Sequence, residues 1–314
     1  MQQKTILFSG GAGFLGSVLT EQLLKKDYKV IVYDNLFYRQ NSLFHLFHYK
    51  NLEFIKADVR DRNLLDKYIQ QADIIIPFSA LVGMPLCRKN EQLAREINYE
   101  SIKYIAHKKS KDQLLLYPNT NSGYGIGEND IYCTEETKLN PVSIYGETKV
   151  AAEKEVLSVE NSMAFRLATV FGTSARMRTD LLVNEFVLRA INDGFIVLYE
   201  KHYKRNYVHI RDVAKAFIWS IENWDKVNGQ VFNLGLSDAN LSKLELCLKI
   251  KEFIPNFHID FAEVSKDPDQ RNYIVSNDKI EKAGFKATTT IEDGIQELIK
   301  CYQMLNINKY TNLI

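Results

Sequence analysis

The chain of 314 residues is 46% hydrophobic and 25% charged, the balance of a folded globular protein with one large domain or two closely joined ones. Its 40 basic and 39 acidic residues leave a formal charge of +1, which excludes a bulk electrostatic pull toward nucleic acid or an anionic membrane surface. No apolar run approaches ~18 residues, so no membrane span is expected.

Residues 4–9 read as a strand and 18–26 as a helix body. Residues 29–33, 52–57, 74–78 and 114–117 are further apolar runs of strand length, with helical patterns at 64–70 and 95–108. Strands alternating with helices predict an α/β fold, a doubly wound parallel sheet of the Rossmann type. After the apolar run 164–171 the pattern changes. Residues 180–192 and 211–222 read as helices, 196–199 and 207–210 as short strands, and 230–234 as a strand that rejoins the sheet. Segments 241–254, 259–262, 273–276 and 291–304 complete a smaller mixed lobe. The expected division is a cofactor domain over 1–172, rejoined by 205–236, and a substrate lobe over 173–204 and 237–314, with the ligand site between them.

Met1-Gln2-Gln3-Lys4 leads directly into the first strand, so no secretory signal is expected and the expected location is cytoplasmic. Cys87, Cys133, Cys247 and Cys301 have no paired metal-ligand spacing. They read as reduced thiols, with no metal site.

Gly10-Gly11-Ala12-Gly13-Phe14-Leu15-Gly16 follows the first strand and opens the first helix. Gly10, Gly13 and Gly16 let the backbone turn and approach a pyrophosphate, while Phe14 and Leu15 begin a helix whose free N–H groups face it. Asp34, followed by Asn35, stands at the end of the second strand, 18 residues after Gly16. An acid there accepts hydrogen bonds from the ribose of NAD and repels the extra phosphate of NADP. Asp58 and Val59, after the third strand, are placed to bracket the adenine.

Tyr145 and Lys149 lie four residues apart in Tyr145-Gly146-Glu147-Thr148-Lys149. On a helix they share a face. A cation beside a phenol lowers its pKa from about 10, so such a Tyr can remove the proton of a sugar hydroxyl. By itself this spacing also fits solvated helix surface.

With these blocks in order, the chain resembles the extended short-chain dehydrogenase/reductase family, in the branch that acts on nucleoside-diphosphate sugars. The resemblance spans nearly the whole chain. It includes Phe78-Ser79-Ala80-Leu81-Val82-Gly83, Asn98, Tyr124-Gly125, Arg166-Leu167-Ala168-Thr169-Val170-Phe171-Gly172 and Tyr207-Val208-His209-Ile210-Arg211-Asp212-Val213. It implies a catalytic triad of Thr120, Tyr145 and Lys149, with Lys149 also bonding the nicotinamide ribose, and Ser122 as a second hydroxyl. Family members that dehydrate between carbons 4 and 6 carry Asp-Glu directly after the catalytic Thr. Here Asn121 and Ser122 stand in those places, which leaves hydride and proton removal at one carbinol, carbon 4. The outcome is epimerisation or net oxidation.

The resemblance further implies that Arg205 and Arg271 hold the substrate diphosphate, a task suited to guanidinium. Arg176, Arg178 and Asn184 are candidate substrate contacts. His209 reads as a packed histidine and Asp212 as a helix buttress. The block from Arg166 to Asn184 is similar to GDP-heptose and related GDP-sugar enzymes of bacterial surface-polysaccharide assembly. A proline expected after Phe171-Gly172 is replaced by Thr173, which is expected to loosen that loop. A homodimer through the helix after Asn90 and the helix carrying Tyr145 is implied by resemblance alone. The competing reading is a non-catalytic NAD or nucleotide sensor on the same fold. Such proteins lose the Tyr or the Lys, and both are present here.

Overall fold

A computed structural model of the chain describes residues 3–39, 41–127, 131–262 and 271–305. β1 (Thr5–Ser9) runs through the glycine loop into α1 (Phe14–Lys25), followed by β2 (Lys29–Asp34), β3 (Leu52–Lys56), α2 (Arg62–Ile69) and β4 (Ile74–Pro77). Next come α3 (Met84–Lys89), α4 (Glu91–Arg95), a π-helical turn over Glu96–Glu100, α5 (Ser101–Lys108) and β5 (Leu114–Thr120). β6 (Tyr132–Cys133), α6 (Ile144–Leu157), β7 (Ser162–Leu167) and β8 (Thr169–Phe171) follow, then α7 (Leu182–Asn192), β9 (Phe195–Tyr199) and β10 (Lys204–His209). The remainder is α8 (Ile210–Glu222), α9 (Trp224–Val227), β11 (Val231–Leu234), β12 (Asn240–Ser242), α10 (Lys243–Phe253), β13 (His258–Ala262), β14 (Ile274–Val275), α11 (Asp278–Ala283) and α12 (Ile291–Tyr302).

Seven strands form one sheet in the order β11-β7-β5-β4-β1-β2-β3, and every pairing in it is parallel. Side chains alternate between two buried faces, as a parallel sheet covered on both sides requires. Ile6 and Phe8 enter one core with Leu19 and Leu23 of α1 and Phe217 of α8. Leu7 enters the other with Leu65 of α2, Ile105 of α5 and Val156 of α6. Strand order reverses at β1, between β2 and β4. The carboxyl ends of the strands there open the crevice in which ligands of such sheets bind.

Three of the elements that differ from expectation do so for a clear local reason. The strand expected over 114–117 continues to Thr120, where Leu167 pairs beside it. The run 164–171 divides at Ala168. Its first part pairs with β5 and β11 in the large sheet, and its second pairs with β10 in a small one. The helix expected over 95–108 is interrupted by the π turn, where Asn98 turns inward. Its amide accepts from Leu81 N–H (2.8 Å) and donates to Leu81 C=O (2.9 Å), so one side chain replaces the missing strand partner of the β4–α3 loop. A π turn marks such inserted contacts.

Candidate active site

A cleft of about 1130 Å³ crosses the carboxyl ends of the large sheet and continues under β9 and β10. That is ample for two ligands end to end. Its cofactor half begins at the glycine loop. Gly10 has φ +75°, and a Cβ on Gly16 would lie 2.2 Å from the Gly10 carbonyl, so neither position admits a side chain. No side chain caps α1 and no acid stands in its first turn. Its N–H groups therefore face the cleft, a cradle that fits a pyrophosphate.

The Asp34 carboxylate ties this half together. It accepts from Ala12 N–H at 3.1 Å and Leu36 N–H at 2.8 Å. Burial raises its pKa against those bonds. Asn35 donates to Asp58 at 3.0 Å, and Arg60 clamps the same carboxylate at 2.9 Å. Asn35, Asp58 and Val59 line the cleft together, as does the Phe14–Gly16 turn.

Tyr145 stands in the first turn of α6, whose start is capped by Ser143 accepting from Gly146 N–H at 3.2 Å. Lys149 follows one turn later, and both line the cleft with Thr120 and Ser122. The expectation that Lys149 lowers the Tyr145 pKa does not hold in this arrangement. The Lys149 ammonium lies over the Tyr117 ring, 4.2 Å from its centroid. Burial pushes Lys149 down to about 7, opposed by Glu153. Burial pushes the Tyr145 phenol up to about 12, with the Cys87 thiol adding to it. Arg271, Arg178 and the Thr120 hydroxyl pull the other way.

Thr120 and Ser122 form one hydroxyl pair at the end of β5. Thr120 Oγ1 accepts from Ser122 N–H (3.1 Å) and donates to Ser122 Oγ (3.0 Å), which also receives Arg271 Nη1. Ser122 faces the cleft, whereas Asn121 is buried and outside its lining.

Arg205 and Arg271 both line the substrate half. The residues before Arg271 in its segment, Asp267 to Gln270, lie outside the described residues. The other three candidates separate. Asn184 does not reach the cleft: its amide is taken by Gly172 N–H (3.1 Å), Gly172 C=O (3.1 Å) and Arg178 C=O (2.8 Å). Arg178 is held by Asp180 at 2.6 Å, both nearly buried. Arg176 belongs to the cofactor half, with its guanidinium over the Tyr38 ring at 4.1 Å. Burial and the neighbouring Arg178 lower its pKa to about 10, while Tyr38, Asp180 and Asp34 oppose them. The loop between these residues is also firmer than Thr173 suggested. Thr173 N–H donates to Glu297 at 2.9 Å, a bond that a proline could not make. His209 is buried, with Nε2 3.4 Å from Glu297. Asp212 accepts from Thr288 and Thr289 N–H at 3.0 and 2.6 Å, buttressing the approach to α12.

Sequence reading missed Lys243 and Tyr38. Lys243 is buried at the first position of α10 and lines the cleft, donating to Tyr199 C=O at 2.9 Å. The available signal was a cation directly after the cap Ser242, where the helix dipole disfavours positive charge.

A glycine cradle, an acid at the end of the second strand and a Tyr-x-x-x-Lys helix on one cleft define an NAD-binding oxidoreductase fold of the extended short-chain type. The chain belongs to the NAD dependent epimerase/dehydratase family, whose model matches residues 6–235, and its cofactor is NAD. It is 28% identical over 311 residues to the low-salt glycan biosynthesis protein Agl12 of Haloferax volcanii, covering 95% of this chain and 98% of that one. It is 27% identical to CDP-paratose 2-epimerase of Salmonella typhi, covering 93% and 97%. In fold it is similar to UDP-glucuronic acid 4-epimerase from Bacillus cereus, solved with UDP-glucuronic acid and NAD (TM-score 0.84, 20% identity, 96% and 100% covered). It is also similar to dTDP-glucose 4,6-dehydratase from Bacillus anthracis, solved with NAD (TM-score 0.82, 23% identity, 98% of each chain). Among the described residues no acid, His and Cys cluster could hold a metal, and no helix is long and apolar enough to cross a membrane.

Proposed function

We propose that the protein interconverts nucleoside-diphosphate sugars epimeric at carbon 4, through oxidation at that carbon, in the assembly of a bacterial surface polysaccharide. The observation that carries this reading is the convergence of Tyr145, Lys149, Thr120, Ser122 and Arg271 on one cleft, with no carboxyl at 121 or 122 to expel water. The phenol of Tyr145 takes the proton of the carbon 4 hydroxyl. Thr120 and Ser122 hydrogen-bond the same oxygen and fix its direction. Arg205 and Arg271 hold the diphosphate with paired donors. NAD, when bound, supplies the hydride acceptor and a positively charged ring. Lys149 would hold the nicotinamide ribose, and Arg271, Arg178 and the Thr120 hydroxyl act on the phenol. The hydride would leave carbon 4 for bound NAD and come back once the 4-ketone, still tethered by its diphosphate, had turned its other face to the nicotinamide; Tyr145 returns the proton to the oxygen.

Net oxidation to a ketone, a 4-dehydrogenase, is the second reading. Epimerisation is favoured because the loop after β8 spans the cofactor half. Ser174 donates to Phe14 C=O at 2.7 Å and meets Ser17 at 2.8 Å, while Arg176 covers Tyr38. A cofactor enclosed in this way stays through a turnover, which suits redox-neutral chemistry. A non-catalytic sensor has no use for the complete Tyr and Lys pair.

The test is a panel of GDP- and UDP-sugars, GDP-heptoses included, with products read by mass spectrometry and NMR and reduced nicotinamide by absorbance. A product of unchanged mass without net NADH is expected. Accumulating NADH would move the assignment to the dehydrogenase, and loss of one water would overturn both. Arg271→Ala is expected to raise KM for the sugar nucleotide by about ten- to a hundredfold, the size of a charge-assisted contact to phosphate. An unchanged KM in steady-state assays would remove Arg271 from the substrate site.

The cofactor domain is assigned to 1–172 with 205–236, and the substrate lobe to 173–204 and 237–314. The protein is further proposed to be a homodimer through the outer faces of α4, α5 and α6. There Glu155 gathers Tyr99 (3.0 Å), Lys103 (3.4 Å) and His107 (2.8 Å). Light scattering should give twice the chain mass, and a monomer at micromolar concentration would refute it.

A further inference from the structure

Next to the catalytic pair lies a buried ionic chain that the reaction described above does not use. Glu153 is one helical turn beyond Lys149 on α6, on the same face. It is 3% exposed and does not line the cleft. A carboxylate at that depth must be paired and hydrogen-bonded. Arg166 of β7 meets it twice, Nη2 to Oε1 at 2.7 Å and Nε to Oε2 at 3.1 Å, and the Asn119 amide of β5 donates to Oε2. The remaining Arg166 Nη1 donates to the Tyr124 hydroxyl (3.0 Å) and the Glu135 carbonyl (2.9 Å). The Tyr124 hydroxyl in turn lies 2.7 Å from Asn233 Oδ1.

The groups around the Lys149 ammonium make this pair consequential. β5 supplies the Tyr117 ring over which the ammonium lies, and its own helix supplies Glu153, four residues on, whose field reaches it. Cys87 of α3, together with Arg271 and Arg178 from the substrate side, acts on the Tyr145 phenol. Arg95 pairs with Glu147, and Lys103 and His107 with Glu155, on more exposed parts of the helices. Among the described residues, Glu153 is the one acid whose field opposes the burial of Lys149.

We propose that Glu153 is a positioning residue for Lys149, and that Arg166 and Asn119 set how much of its negative charge reaches the ammonium. The proposal rests on Lys149 being the cation of the catalytic pair. It has a signature that a merely structural ion pair lacks. Removing the acid leaves a second buried cation near Lys149, which disfavours its charged form. Removing Arg166 leaves the acid with the Asn119 amide, so that it stays ionised only by drawing on the Lys149 charge, which favours the ammonium. The two halves of one salt bridge therefore act on Lys149 with opposite signs.

The experiment is an NMR titration of full-length protein labelled with ¹³C at lysine Cε, the Lys149 resonance being the one lost in Lys149→Met. In the native protein the midpoint is expected near 7. In Glu153→Gln it should fall by about one pH unit or more, and in Arg166→Met rise by about as much. The falling alkaline limb of kcat should move with it in each variant. Shifts in the same direction, or a midpoint unmoved in both variants, overturn the proposal, even if both melt at lower temperature. Should Glu153→Gln not fold, Glu153→Asp withdraws the charge by one methylene and should lower the midpoint by a smaller step. No movement there overturns the proposal equally. Undiminished turnover in Lys149→Met would instead sink the catalytic reading while leaving the titration interpretable, so the two failures are distinguishable.

Discussion

Tyr145→Phe lowers kcat by at least about a thousandfold while NAD affinity stays within about twofold of native. A positioned general base contributes roughly 10²–10⁴ in rate, and this variant removes the base without removing its ring. Phenylalanine keeps the packing of Tyr145 against the second core. Thr120 and Ser122 remain, but an aliphatic hydroxyl cannot carry the proton away at neutral pH. In the proposed site NAD would be held by the glycine loop and the end of β2, which the substitution does not touch. Steady-state epimer formation and calorimetric titration with NAD measure the two quantities. A kcat within tenfold of native would remove Tyr145 as the base. The phenol, pushed up to about 12 in this structure, also leads us to expect that turnover rises with pH until Lys149 loses its proton.

Lys149→Met abolishes turnover and makes the protein more stable. The ordinary lysine pKa of 10.5 falls to about 7 in the fold. Between those values the unfolded chain holds a proton that the native chain has released. Native stability from this group therefore rises with pH from about 7 to 10.5. Below that window the handicap is constant. At neutral pH it is on the order of 4 kcal/mol by linkage, at 1.36 kcal/mol per pKa unit. Methionine fills a similar volume without charge, so a melting temperature higher by about 5 °C or more is expected at pH 7. The gap between variant and native protein should narrow steadily toward pH 10. A lower melting temperature, or a gap indifferent to pH, would contradict the buried-ammonium account. Such a trade of stability for activity is common where a site needs an unfavourable group.

The sheet and the cofactor cradle were legible in the sequence because their signals are local. Residues 4–9 followed by Gly10–Gly16 and then Asp34 state a strand, a turn and an acid at fixed spacing, and each spacing maps to one geometry. The Tyr145 and Lys149 pair was legible as a shared helix face for the same reason. Where the ammonium lies was not, because the Tyr117 ring beneath it comes from a strand distant in sequence. The arginines show the same limit. Arg176, Arg178 and Asn184 lie within nine residues, yet one faces Tyr38, one is locked to Asp180 and the third stitches a loop. Loop side chains take their directions from what packs against them, and residue type does not encode that. Lys243 was hidden differently. Its segment was expected in the smaller lobe, but that placement says nothing about which cavity the residue borders.

The division of one extended segment at Ala168 sets a distance. Leu167 pairs beside Thr120 in the large sheet, and two residues later Thr169 pairs beside Tyr207 in the small one. Thr120 and the strand that carries Arg205 are thus pinned to opposite ends of a short bridge, about 7 Å long at the usual strand rise. On the proposed reading the enzyme would work as a caliper with a fixed gap. It would measure a sugar from its diphosphate to its reacting carbon, and discrimination among sugars of equal span would fall to the loops around them.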